Sequence, residues 1–110
     1  MSSAAIRFEE VNAGAGRLGR VTLDVAATLN SLTLDMVDQL QAQLESWRGD
    51  PGIAAIFLEG AGEKAFCAGG DVQALYDSVL ATPGGPCEYA ENFFLREYRL
   101  DYTLHTYPKP

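Results

Sequence analysis

The sequence is short of the features that mark secreted, membrane-spanning and nucleic-acid-binding chains. Its 110 residues include two cysteines, Cys67 and Cys87, too few for a disulfide framework, so free thiols are expected. Cations are scarce. Eight Lys and Arg stand against fifteen Asp and Glu, and a net charge of −7 excludes the clustered basic footprint that nucleic acid requires. No apolar run approaches the roughly 20 residues of a membrane span, and Met1-Ser2-Ser3-Ala4-Ala5 lacks a charged region followed by an apolar one, so a cytoplasmic location is expected. His105 is the one histidine, and with no Ser or Cys geometry beside it, it reads as a helix-surface residue; no metal site is expected. There is no internal repeat and no low-complexity segment.

What is present is a chain 47% hydrophobic, sized for one small domain or part of a larger one. Ala5 to Val11 and Gly19 to Val25 alternate apolar and polar residues and read as strands joined by a Gly-rich hairpin turn. That turn, Gly14 to Gly19, satisfies the dinucleotide pattern G-x-G-x-x-G, but it runs into the β-rich "GRVTLDV" instead of opening a helix, so its context excludes a phosphate-binding role. Thr33 to Arg48 carries Met36, Val37, Leu40, Leu44 and Trp47 at helical spacing, with Thr33 as N-cap, and stops at Gly49-Asp50-Pro51-Gly52. "IAAIFL", Ile53 to Leu58, has no polar alternation and reads as a strand buried on both faces, as in a parallel sheet covered by helices. Strand, helix and strand make a βαβ unit, and the fold class is α/β.

A bare segment, "KAFCAGGD" from Lys64 to Asp71, follows that strand. Beyond it Val72, Leu75, Tyr76 and Val79 share one helical face with Asp71 at the cap, "ATPGGP" forms a loop, and a long helix runs from Cys87 to before Pro108. One face of the long helix collects Tyr89, Phe93, Glu97, Leu100, Leu104 and Tyr107, where Glu97 is the misfit, because a carboxylate on an apolar stripe is costly unless paired or used. The bare segment lies where open α/β sheets place ligands, past the carboxyl end of a strand and against a helix N-terminus. Gly69 and Gly70 expose backbone N–H groups that suit a phosphate or the oxyanion of a thioester, and composition leaves both open. Cys67 reads as a small residue packing the loop, with a nucleophile as the alternative, and Glu9-Glu10 as a solvated pair.

"GAGEKAFCAGGDVQALY" resembles the first signature of the crotonase (enoyl-CoA hydratase/isomerase) superfamily, and "TLNSLTLDMV" resembles its Leu-Asn-x-Leu segment. "FFLREYRLDYTLHTYPKP" is similar to the helix that marks the 3-hydroxyisobutyryl-CoA hydrolase branch. The resemblance, from about Ile6 to Pro110, implies the N-terminal part of a crotonase-type ββα spiral, so that residues 1–110 form an incomplete domain. It implies an acyl-CoA substrate, with coenzyme A as part of the substrate and no separate cofactor. It places the first oxyanion donor on the Gly70 N–H, sets Ala68, Gly69, Gly70 and Asp71 along the CoA side of the loop, and makes Glu97 a substrate-pocket and catalytic glutamate. The second donor and the carboxylates that direct water belong, in the family, to segments after "PKP" that these residues lack, so the chain alone is expected to be inactive. "DVAATLN" departs from the Pro and basic residue that relatives often carry ahead of Leu-Asn, which puts the usual phosphate contact in doubt. The activity implied is thioester hydrolysis of the 3-hydroxyisobutyryl-CoA type, serving valine breakdown. The alternatives are an enoyl-CoA hydratase or isomerase, and a non-catalytic CoA-binding or assembly module that forms a homo-oligomer or pairs with a missing C-terminal half.

Overall fold

The computed structural model describes residues 5–110. Strand β1, Ile6–Ala13, turns through Gly14 and Ala15 into β2, Gly16–Leu23, with Ala13 opposite Gly16 and Ile6 opposite Leu23. Gly14 has φ +64°, the left-handed conformation that two-residue hairpins require and glycine adopts without steric cost. The G-x-G-x-x-G match is therefore a hairpin and the start of a strand. A short 3-10 turn at Ala26–Thr28 leads to helix α1, Leu34–Arg48, where the Thr33 hydroxyl accepts from the Met36 N–H at 3.2 Å, the cap expected from the sequence.

Strand β3, Ile53–Gly60, pairs parallel to β2, which completes the βαβ unit and gives a three-stranded sheet in the order β1-β2-β3. Helix α1 lays Met36, Val37, Leu40, Leu44 and Trp47 on one face of this sheet, against Ile6, Val21, Leu23 and Ile53. The Trp47 ring lies over Gly19, where a Cβ would come within 2.6 Å of it, and meets Phe8 edge-on.

The expectation that β3 is buried on both faces is corrected. Ile53 is buried, but Phe57 on the opposite face is 54% exposed, beside the Arg20–Glu59 ion pair. An unbroken apolar run shows that two apolar surroundings suit the strand, but it does not supply them. The described residues form two layers, not three.

Helix α2, Val72–Ala81, is capped by Asp71, whose Oδ1 accepts from the Ala74 N–H at 3.2 Å. Its expected apolar face does not form a core: Val72, Tyr76 and Val79 are exposed and only Leu75 is half-buried. Helix α3, Glu88–His105, crosses α1 and buries Phe93, Leu100 and Thr103. Polar contacts fasten it there: Arg96 to Asp38 at 2.8 Å and Gln41 Nε2 to Thr103 Oγ1 at 3.0 Å. Past the helix, Tyr107 donates its hydroxyl to Leu44 O at 2.6 Å, and Lys109 Nζ donates to Trp47 O and Asp50 O, both at 2.5 Å. A lysine thus satisfies the orphan carbonyls at the end of α1 and meets the negative end of its dipole.

Candidate functional site

The loop from Gly60 to Asp71 takes its shape from one side chain. Asn30 is fully buried; its Oδ1 accepts from the Val25 N–H at 2.8 Å, and its Nδ2 donates to Ala61 O at 2.9 Å and Ala65 O at 3.0 Å. Leu29 and Asn30 both hold left-handed backbone conformations, φ +55° and +57°, a strain usually tolerated where surrounding contacts fix it. The loop closes so tightly on Gly60 that a Cβ there would lie 2.3 Å from Phe66 O.

Three of the four N–H groups from Ala68 to Asp71 are occupied. Ala68 donates to Leu29 O at 2.9 Å, Gly69 to the Cys67 Sγ at 3.4 Å, and Asp71 to Leu32 O at 2.8 Å. Leu32 in turn donates to Gly69 O at 2.7 Å, so Leu32 and Gly70 form a parallel bridge. In such a bridge the residue bonded on both flanks faces the ladder, and the one opposite turns its own N–H and C=O away. The Gly70 N–H is that group, and it meets no acceptor among the described residues.

Gly70 also touches α3. A Cβ on it would stand 2.7 Å from Phe93 Cε1 and 2.9 Å from Glu97 Oε2, so only glycine allows this approach. Gly69 needs glycine for another reason: space is open around it, but φ is +100°. Glu97, half-buried, lines a cleft of about 430 Å³ with Gly69, Cys67 and the apolar side chains of Leu32, Leu58 and Leu100. Burial pushes the Glu97 carboxyl above its ordinary range, and the charge of Asp101 one turn along the same wall adds to this. No cation pairs with Glu97 among the described residues.

The structure thus brings Gly69, Gly70 and Glu97 together. Ala68 is exposed and outside the cleft lining, and the Asp71 carboxylate is committed to capping α2. Cys67 packs against the core and receives the Gly69 N–H, in keeping with its packing role, and His105 is exposed in the last turn of α3. A second cleft of about 420 Å³ opens at the other end of the loop; Ala26 and Ala27 form part of its wall, and Lys64 is the one cation lining it. The sequence reading quoted Asn30 only as part of a resemblance. A polar residue directly ahead of a helix cap, flanked by leucines, was the available signal for its structural role.

A free amide at a strand-to-helix loop, an apolar cleft and a facing carboxyl are what acyl-transfer and acyl-hydration chemistry use. Comparison with known proteins agrees. The family profile described as enoyl-CoA hydratase/isomerase matches residues 18–110. The chain belongs to that family, and its fold is that of the crotonases. The relatives it resembles include the mitochondrial 3-hydroxyisobutyryl-CoA hydrolase of Danio rerio, 41% identical over all of this chain and 28% of that protein. The human protein of the same name is 39% identical over 86% of this chain and 24% of its own length. Among solved structures, an enoyl-CoA hydratase from Rhodobacter sphaeroides superposes with a TM-score of 0.84 at 34% identity, covering 96% of this chain and 29% of that one. A carnitinyl-CoA dehydratase from Mycobacterium thermoresistibile gives 0.78 at 38%, covering 94% and 28%. The chain therefore spans less than a third of the length of these relatives.

Proposed function

We propose that this chain supplies the first half of the active site of an acyl-CoA thioester hydrolase of the 3-hydroxyisobutyryl-CoA type. The observation that carries the reading is the unbonded Gly70 N–H held against Glu97 at the mouth of an apolar cleft. The acyl group lies in the cleft, with the thioester oxygen on the Gly70 N–H. As water adds to the carbonyl, the oxygen gains charge, and a fixed donor in a site shielded from water lowers that barrier by roughly 3 kcal/mol. Collapse of the tetrahedral intermediate breaks the C–S bond, leaving a carboxylic acid and the thiol of coenzyme A. Glu97, with its raised proton affinity, hydrogen-bonds the polar end of the acyl group. The second cleft, with small side chains and Lys64, takes the coenzyme A end. Ala68, Gly69 and Asp71 act through their backbone, shaping the loop between the two.

The test is thiol release from 3-hydroxyisobutyryl-CoA by the whole protein, followed with a thiol reagent. Free thiol is expected, and Glu97→Ala is expected to lose most of it; wild-type turnover by that variant removes Glu97 from the mechanism. The hydratase and dehydratase names of two structural neighbours favour a second reading, in which water adds to an enoyl thioester. The same assay separates the two, since hydration yields a 3-hydroxyacyl thioester with no free thiol. A cytoplasmic location is likewise a proposal drawn from the opening residues, and the hydrolase relatives are named as mitochondrial. Microscopy of the tagged whole protein decides it.

A further inference from the structure

Helix α3 carries a second apolar stripe, on the side away from both core and cleft. Leu95, Tyr98 and Tyr102 are 70%, 66% and 69% exposed, and Tyr98 stacks on Phe94 with ring centroids 6.2 Å apart. Such a stripe along an 18-residue helix exceeds the scattered apolar residues of an ordinary surface. Its charges have a direction. Glu88 and Glu91 lie toward the N-terminus, Arg99 lies toward the C-terminus, and Glu91 and Arg99 have no ion pair among the described residues. Arg96 is held by Asp38, while Glu97 and Asp101 turn to the cleft, so none of the three cancels this polarity.

We propose that this stripe docks a second copy of the chain, with the two α3 helices antiparallel about a two-fold axis at Leu95. In that arrangement residues equally far on either side of Leu95 face each other. Leu95 meets its own copy; Glu91, four residues before, meets Arg99, four after; Glu88, seven before, meets Tyr102, seven after, whose hydroxyl can donate to it. Each pairing occurs twice by symmetry, and the antiparallel helix dipoles favour the same orientation. The first-turn glutamates also suit the dipole of their own helix, but that does not account for Arg99 in mid-helix or for the three exposed apolar side chains. The net charge of −7 on each copy opposes association, but salt screens it at long range more than it weakens the contact pairs.

The proposal is independent of the proposed activity and is tested on the 110-residue chain by sedimentation velocity at micromolar concentrations, with circular dichroism confirming unchanged helix content. A dimer is expected, and Leu95→Arg is expected to abolish it. Glu91→Arg and Arg99→Glu should each weaken it about tenfold, and the two changes combined should restore it, because the pairing is reciprocal. A monomeric wild-type chain overturns the proposal and leaves the stripe to another segment or another protein. A dimer that persists in Leu95→Arg, or a double reversal that stays weak, overturns it equally.

Discussion

The two sides of this molecule are built to different standards of packing. Where α1 meets the sheet, six helix residues are buried and Trp47 fills the space over a glycine; α2 buries nothing, and α3 buries three residues of its eighteen. Stability therefore resides in the hairpin, α1 and the start of β3. The free amide, the cleft and the perturbed carboxyl all sit on the lightly packed side, held by a few contacts of high specificity. That division suits a site that must leave polar groups unpaired, a condition that a close-packed core penalises.

Substitutions can break this contrast, and their effects should fall in a definite order. Trp47→Ala, which empties the space between Gly19 and Phe8, should cost about 4 kcal/mol in denaturant unfolding. Asn30→Ala strands one amide and two carbonyls that the loop cannot rehydrate freely; the same measurement should show a loss of about 3 kcal/mol, together with faster proteolysis within residues 61–70. Gly70→Ala forces a methyl against Phe93 and Glu97 and should cost about 2 kcal/mol, with tryptophan fluorescence following the unfolding. Gly69→Ala meets no atom and should cost about 1 kcal/mol, from backbone strain alone. Removing apolar surface from α2, as in Val79→Ser, should change stability by no more than about 0.5 kcal/mol.

The smallest effect sharpens the contrast because its sign is reversed. Glu97 binds its proton more tightly folded than unfolded, so its contribution is fully present below the unfolded pKa and lost as pH rises through the folded one. Glu97→Gln should therefore be more stable than the wild type at neutral pH, and the gap should narrow in unfolding curves taken at progressively lower pH. A glutamine that destabilises the protein at neutral pH would show that the carboxylate has a structural partner.

The local features were legible in the sequence because their causes are local. Thr33 and Asp71 each precede an apolar helical period, and each accepts the N–H three residues on, as that spacing implies. The parallel β2-β3 pair follows from an apolar strand on either side of an amphipathic helix. Phe57 was misjudged because a residue type reports the surroundings it prefers, and not whether any chain covers it. Glu97 announced itself as a carboxylate on an apolar face, but its approach to Gly70 joins residues 27 apart in the sequence, and no periodicity encodes that distance. Lys109 was unreadable for the same reason: the carbonyls it serves are 59 and 62 residues away.

Asn30 also has a kinetic meaning. Its two amide N–H bonds close spans of 31 and 35 residues, whereas the β1-β2 hairpin closes through two residues at its tip. Loop closure of that length is slow relative to a hairpin, so the Gly70 donor is set only after the sheet and α1 are in place. A partly folded chain thus presents no preorganised donor. Amide hydrogen exchange should show the Ala61–Ala68 amides opening before those of β2, and the lifetime of the site is then the lifetime of one buried asparagine.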